Sequence, residues 1–64
     1  MMYVVKRGYD YYHAMEDGRP VWKSRRELFE KEAAVKICEQ LLAQGWTEVE
    51  VLEFHPSAMR KGKR

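Results

Sequence analysis

The dipeptide Asp17-Gly18 is the feature that most restricts how this chain can fold. It separates two runs rich in tyrosine, valine and tryptophan, within residues 9–24. Both central residues of a type I′ β-turn need a positive φ angle, which Asp-Gly pairs adopt readily. The pattern therefore predicts a β-hairpin with Asp17-Gly18 as its two-residue loop.

A two-residue loop also fixes the register, because side chains alternate between the two faces of a strand. The predicted cross-strand pairs are Glu16 with Arg19, Ala14 with Val21, His13 with Trp22, and Tyr12 with Lys23. One face, predicted to be the core, carries Tyr11, His13, Met15 and Trp22. The other, predicted to be solvated and mostly basic, carries Tyr12, Ala14, Glu16, Arg19, Val21, Lys23 and, if the strand continues, Arg25.

A second hairpin is predicted before this one. Residues 2–6 are β-branched and aromatic, and Arg7-Gly8 offers a tight turn into the next strand. With a two-residue loop the predicted pairs are Lys6 with Tyr9, Val4 with Tyr11, and Tyr3 with Tyr12. Val4 would then belong to the predicted core face.

The helix has two possible starting points. Ser24 and Glu27 have the spacing of a capping box, which would start the helix at Arg25. Alternatively the strand continues to about Leu28 and the helix begins near Glu30. We favour the later start, because Leu28 and Phe29 fall well off the apolar stripe that Ala34, Ile37, Cys38 and Leu41 share, with Leu42 at its margin. Gly45 provides a left-handed stop after which Trp46 can fold back, so the helix is predicted over about residues 30–44.

A final strand is predicted from Thr47 to Phe54. Its apolar positions change parity after Val51, which indicates either a bulge or an end that is buried on both faces. The fold class predicted is α+β, with the order β-β-β-α-β: a small antiparallel sheet with one helix packed on one face. We expect a single domain over residues 1–55 and a disordered basic tail over residues 56–64.

The composition limits the chain to one small core. The 64 residues are 45% apolar and include two Trp and four Tyr, as in a globular domain. One cysteine and two histidines argue against a disulfide framework or a structural zinc site. We find no signal-peptide pattern and no apolar run of about 18 residues, so a cytoplasmic location is expected.

The sequence favours a non-enzymatic protein with no cofactor and no bound metal. His13 is expected to stack on Trp22 in a strand, and Cys38 is expected to be an inert thiol in the core. No catalytic triad, phosphate-binding glycine loop or paired-carboxylate motif is present in the sequence. The acids Glu48, Glu50 and Glu53 follow one strand and are expected to be solvated.

The charge distribution indicates a nucleic-acid partner. Residues 1–55 hold eight Lys and Arg against ten Asp and Glu, whereas the tail holds four cations and no acid: Arg60, Lys61, Lys63 and Arg64. Arg19, Lys23 and Arg25 are predicted to project from the sheet face opposite the helix, beside Tyr12. Such a face can place cations on phosphates and an aromatic or arginine side chain on base edges.

The stretch from Tyr11 to Ala34, YYHAMEDGRPVWKSRRELFEKEAA, resembles the arm-type N-terminal DNA-binding domains of phage and transposon tyrosine recombinases. The matching features are the Asp-Gly turn, a further strand, Phe29 before the helix, and acidic residues and alanines at the helix start. The resemblance implies a three-stranded sheet whose exposed face enters the major groove, with Arg19, Lys23, Arg25 and Tyr12 as contacts. This chain differs in having a fourth, acidic strand after the helix.

A protein partner is the alternative. A small adaptor or inhibitor of the phage or mobile-element type could bind through exposed Tyr3, Tyr12 and Val21, since tyrosine is enriched at interface hot spots. Homodimerisation through an open sheet edge is a variant of this hypothesis. A third interpretation is that the domain is part of a longer chain and that the tail is a linker.

Overall fold

The computed structural model describes residues 1–55, and the predicted tail at 56–64 lies outside them. Its elements are β1 (Met2–Arg7), β2 (Asp10–Glu16), β3 (Arg19–Lys23), α1 (Lys31–Ala43) and β4 (Val49–Phe54). The strands form one antiparallel sheet in the order β3-β2-β1-β4, and α1 packs against β1 and β4. The predicted α+β class and the order β-β-β-α-β are confirmed. We call the sheet face that α1 covers the inner face and the opposite one the outer face.

Both hairpins form, but one has a different loop from the one predicted. Asp17 and Gly18 have φ angles of 54° and 75°, and Glu16 pairs with Arg19 as expected. In the first hairpin Arg7 pairs with Asp10, so the loop is Gly8-Tyr9 and the predicted Arg7-Gly8 loop is wrong. Of these two loop residues only Gly8 has a positive φ, at 66°, which suits a turn that needs glycine at its first central position.

A β-bulge at His13 changes the faces of β2. Ala14 pairs with Val21 as predicted, but the register then shifts, so that Tyr12 pairs with Trp22 and Tyr11 with Lys23. The predicted pairs of His13 with Trp22 and of Tyr12 with Lys23 are therefore wrong. Because one extra residue reverses the alternation, Tyr12 lies on the inner face and Tyr11 on the outer face.

The core lies between the inner face and α1. Its buried centre consists of Val5, Tyr12, Ala34 and Leu41. The partly buried side chains packed around it are Tyr3, Met15, Trp22, Phe29, Ile37, Trp46, Val49 and Val51. The Tyr12 ring meets Trp22 edge-on at 6.1 Å and Phe29 at 5.9 Å between ring centroids. Aromatic rings therefore supply much of the core in this short chain, as edge-to-face geometry favours.

The helix has the predicted later start and the predicted stop. Glu30 is the N-cap residue, and β3 ends at Lys23, so the expected continuation of that strand to about Leu28 is wrong. At the other end Gly45 has a φ of 98°. Its N–H donates to the carbonyl of Leu42 at 3.0 Å, and the Trp46 N–H donates to that of Leu41 at 3.1 Å. These two bonds form a Schellman motif, which directs Trp46 back onto the core.

The segment between β3 and α1 takes the place of β2 beside part of β1. β2 pairs with β1 only through Tyr11 and Asp10. Farther along, Tyr3 and Phe29 exchange two backbone hydrogen bonds of 2.7 and 2.8 Å. The bulged His13 donates from Nε2 to the carbonyl oxygen of Arg25 at 2.8 Å, which ties this segment to β2. The bulge and the inserted segment therefore support each other.

Strand β4 pairs with all six residues of β1 without a register shift, so the bulge alternative for this strand is wrong. Leu52 and Phe54 lie on the outer face by simple alternation. The Arg26 guanidinium lies 5.2 Å from the centroid of the Phe54 ring and covers this end of the outer face. Val4 shares the outer face with Leu52, and it is nevertheless buried.

Candidate nucleic-acid interface

A row of three side chains crosses the middle of the outer face. Lys6 on β1 pairs with Tyr11 on β2, which pairs in turn with Lys23 on β3. Residues paired across antiparallel strands point to the same face, so these three side chains form one row. We call Lys6, Tyr11 and Lys23 the outer-face row.

The row places a cation on each side of an aromatic ring. Neighbouring strands lie about 4.8 Å apart, so the two lysines start from backbone positions about 10 Å apart with Tyr11 between them. The Lys6 ammonium lies 5.6 Å from the centroid of the Tyr11 ring. Lys6 and Tyr11 are half-buried and Lys23 is exposed, so solvent reaches the Lys23 ammonium and part of the other two side chains.

Arg19 adds a further cation near the end of the second hairpin. It is exposed and lies on the same face, opposite Glu16. Ala14 and Val21 lie between this pair and the outer-face row. Since Ala14 is small and exposed, no bulky side chain of β2 separates Tyr11 from Arg19.

Acidic side chains lie mainly elsewhere in residues 1–55. Three belong to α1 or its cap, namely Glu30, Glu32 and Glu39, and three belong to β4 or its approach, namely Glu48, Glu50 and Glu53. Glu50 pairs with Lys6 and so marks the border of the basic area. Within residues 1–55 the basic side chains that lie within 4 Å of a carboxylate are His13, beside Glu27, and His55, beside Glu53, so the row lysines and Arg19 make no ion pair there. The outer face of β1 to β3 is therefore basic, although residues 1–55 as a whole carry more acids than bases.

The structure separates the residues predicted from the sequence to form this site. Arg19 and Lys23 lie on the outer face as expected. Tyr12 does not: it is 5% exposed in the core, and desolvation by burial raises the pKa of its phenol. Arg25 is exposed but follows the end of β3, so it is not a strand residue of that face. The predicted tail contacts, Arg60, Lys61, Lys63 and Arg64, lie outside the described residues.

Sequence reasoning missed Lys6 and Tyr11. Lys6 would have been found had the first loop been placed at Gly8-Tyr9, since Lys6 then pairs with Tyr11. The position of Tyr11 on the outer face depends on the bulge at His13, and no residue pattern in the two strands predicts that bulge. The predicted core membership of Tyr11 and His13 is wrong, and Val4 is buried on the other side of the sheet from the main core.

The three residues predicted to anchor a protein partner, Tyr3, Tyr12 and Val21, do not lie together on an exposed surface. Tyr12 is buried, and Tyr3 packs against the core while its backbone pairs with Phe29. Only Val21 of the three predicted anchor residues lies on the outer face, and it is half-buried. One such side chain offers little area for an interface core.

The remaining reactive side chains do not converge. Because a carbonyl can only accept, Nε2 of His13 carries the proton that bonds Arg25, and its Nδ1 lies 3.6 Å from the Glu27 carboxylate. Cys38 is half-buried on α1. No group of three His, Cys, Asp or Glu within residues 1–55 could hold a metal ion. No helix in that part of the chain is long and apolar enough to cross a membrane.

Residues 5–52 match the model of a family described as protein of unknown function (DUF1651). The match spans three quarters of the 64 residues, so the chain belongs to this family. The comparisons with curated proteins and with solved structures found no match. The matched segment contains the outer-face row and Arg19, whereas residues 56–64 lie beyond it.

Proposed function

We propose that this protein is a small, non-enzymatic nucleic-acid-binding module that contacts its ligand through the outer face of β1, β2 and β3. The observation that carries the proposal is the outer-face row, in which Lys6 and Lys23 flank Tyr11. Phosphate contacts by lysine supply the affinity of most such modules, and an accessible aromatic ring can contact a base.

Three features of the surface support a polyanionic partner. Lys23 and Arg19 are exposed and have no ion-pair partner within residues 1–55, so a phosphate would not displace a carboxylate from them. The acids of the helix lie on the other side of the sheet. The four cations in residues 56–64 would add to the electrostatic attraction of a polyanion.

The test compares two double variants of the full chain that change its charge equally. Lys6→Gln with Lys23→Gln neutralises the row, whereas Lys31→Gln with Lys36→Gln neutralises two exposed lysines of α1. Glutamine keeps most of the side-chain length, so packing changes little. Fluorescence anisotropy with labelled single-stranded and duplex oligonucleotides would be measured over a range of salt concentrations.

We expect the row variant to bind more weakly than the α1 variant and to depend less on salt. Each lost phosphate contact lowers the slope of log K against log salt by about 0.7 for a single strand or 0.9 for a duplex, so two contacts lower it by about 1.4 to 1.8. Equal affinities and slopes for the two variants would refute the proposed site. A variant with all four tail cations changed to glutamine would measure the contribution of residues 56–64 separately.

A further inference from the structure

We infer that the nucleic acid bound by the outer face is single-stranded, with one base stacked on the Tyr11 ring and the adjoining phosphates on Lys6 and Lys23. This inference rests on the proposed function and assigns its substrate class. It follows from the width of the sheet, the position of the acids and the kind of side chains on the face.

The Tyr11 ring is placed to accept a base. It lies in the middle strand of the three, with the Lys6 ammonium 5.6 Å from its ring centroid and with Ala14 as the nearest outer-face neighbour along its own strand. A half-buried tyrosine is held by its neighbours and loses little freedom when a base stacks on it. A base in a duplex has both faces covered by its neighbours, so only an unpaired base can use this ring.

The shape of the sheet disfavours a duplex. The four strands span about 14 Å between the outer strand axes, whereas the major groove is about 12 Å wide and admits a two-stranded ribbon. The fourth strand, β4, also brings Glu50 onto the same face beside Lys6. Pressed into a groove, this carboxylate would face phosphates. A single strand can cross Lys23 and Tyr11 and end at Lys6, so that it does not continue over Glu50.

The face has few groups that read base sequence. Its polar side chains on β1 to β3 are those of Lys6, Tyr11, Glu16, Arg19 and Lys23, with no asparagine or glutamine among them. Paired hydrogen bonds from amide side chains are the usual means of recognising adenine. We therefore expect binding to be only weakly selective for sequence and to be similar for oligo(dT) and oligo(U).

The decisive experiment replaces Tyr11 in the full chain by leucine and, as the matched control, by phenylalanine. Leucine removes the aromatic ring, whereas phenylalanine keeps it. Affinities would be measured by anisotropy for oligo(dT), oligo(U) and a duplex of the same length. Stacking of one base predicts that Tyr11→Leu binds the single strands about 5- to 150-fold more weakly, whereas Tyr11→Phe remains close to the unchanged protein. Circular dichroism would establish that both variants are folded.

The outcomes separate this inference from the function on which it rests. The single-strand inference is wrong if the unchanged protein binds duplex as tightly as single strands. It is also wrong if the Tyr11→Leu and Tyr11→Phe variants bind the single strands with equal affinity. The proposed function still stands in that case, provided that the Lys6→Gln, Lys23→Gln variant binds more weakly than its α1 control. If the two lysine pairs affect the binding of every oligonucleotide equally, or if the unchanged protein binds none of them, the proposed function itself is wrong.

Discussion

Replacing Tyr12 by leucine should destabilise the fold much more than the same replacement of the adjacent Tyr11. Tyr12 is 5% exposed and its ring packs against Trp22 and Phe29. Tyr11 is half-buried on the outer face, where its ring meets the Lys6 ammonium. The two variants have the same chemistry and occupy consecutive positions, so the comparison tests which face each residue occupies.

The magnitudes follow from these contacts. Each aromatic pair contributes about 0.5–1.5 kcal/mol beyond the burial of area, so Tyr12→Leu loses about 1–3 kcal/mol from its two pairs. Tyr11→Leu loses one exposed cation–π contact, which is worth about 0.5–1 kcal/mol. A chain of this length has a free energy of unfolding of about 3–10 kcal/mol. The loss at Tyr12 is therefore a large fraction of the total.

Urea unfolding followed by tryptophan fluorescence would measure the difference. Trp22 and Trp46 lie 5.7 Å apart between ring centroids and pack against the core, so their emission reports on the folded state. With an unchanged m-value, a shift of the midpoint measures the change in stability. If Tyr11→Leu lowered the midpoint as much as Tyr12→Leu, the register shift at His13, and with it the placement of Tyr11 on the outer face, would be wrong. Tyr11 would then be unable to accept a base.

Other predictions concern the helix end, the buried phenol and the bulge. Gly45→Ala should cost about 1–2 kcal/mol, because Gly45 has a φ of 98°; an unchanged melting temperature would contradict this. Burial raises the pKa of Tyr12 above its ordinary value of 10.0, so the stability due to its neutral form is complete below pH 10.0 and falls as the pH rises through the folded-state pKa. The urea midpoint of Tyr12→Phe should therefore fall less than that of the unchanged protein between pH 9 and about 11. An equal fall of the two midpoints would argue against a buried phenol. His13→Ala removes the bond to the Arg25 carbonyl and should lower the free energy of unfolding by about 0.5–1.5 kcal/mol, which a urea midpoint equal to that of the unchanged protein would disprove.

The elements that could be predicted from the sequence are those whose causes are local. Asp17-Gly18 closes a hairpin because of its own φ preferences, and Gly45 ends the helix for the same reason. The apolar stripe through Ala34 and Leu41 identified the buried face of α1 correctly. Each of these signals is complete within a few residues, so no knowledge of the rest of the fold was needed.

The errors arise where the cause is distant in sequence. The stretch from Tyr11 to Met15 has apolar residues at both parities, so alternation does not decide which face is inside. The bulge is stabilised by the carbonyl of Arg25 and by Phe29, which pairs with Tyr3 in the space beside β1. Those partners come from the connection before α1. A register derived from the two strands alone could not include them.

The same bulge determines which tyrosine is available to a ligand. Without the extra residue, the polar His13 would pair with Trp22 on the inner face and the core would lose the ring of Tyr12. With it, consecutive tyrosines serve opposite faces: Tyr12 packs in the core and Tyr11 lies between the two lysines. A change that removes the bulge should therefore weaken stability and binding together. Neutralising Lys6 and Lys23 should weaken binding and lower the free energy of unfolding by no more than the Lys6–Tyr11 contact, about 0.5–1 kcal/mol. Measuring stability and affinity on the same variants thus separates the contribution of the outer surface from that of the fold that supports it.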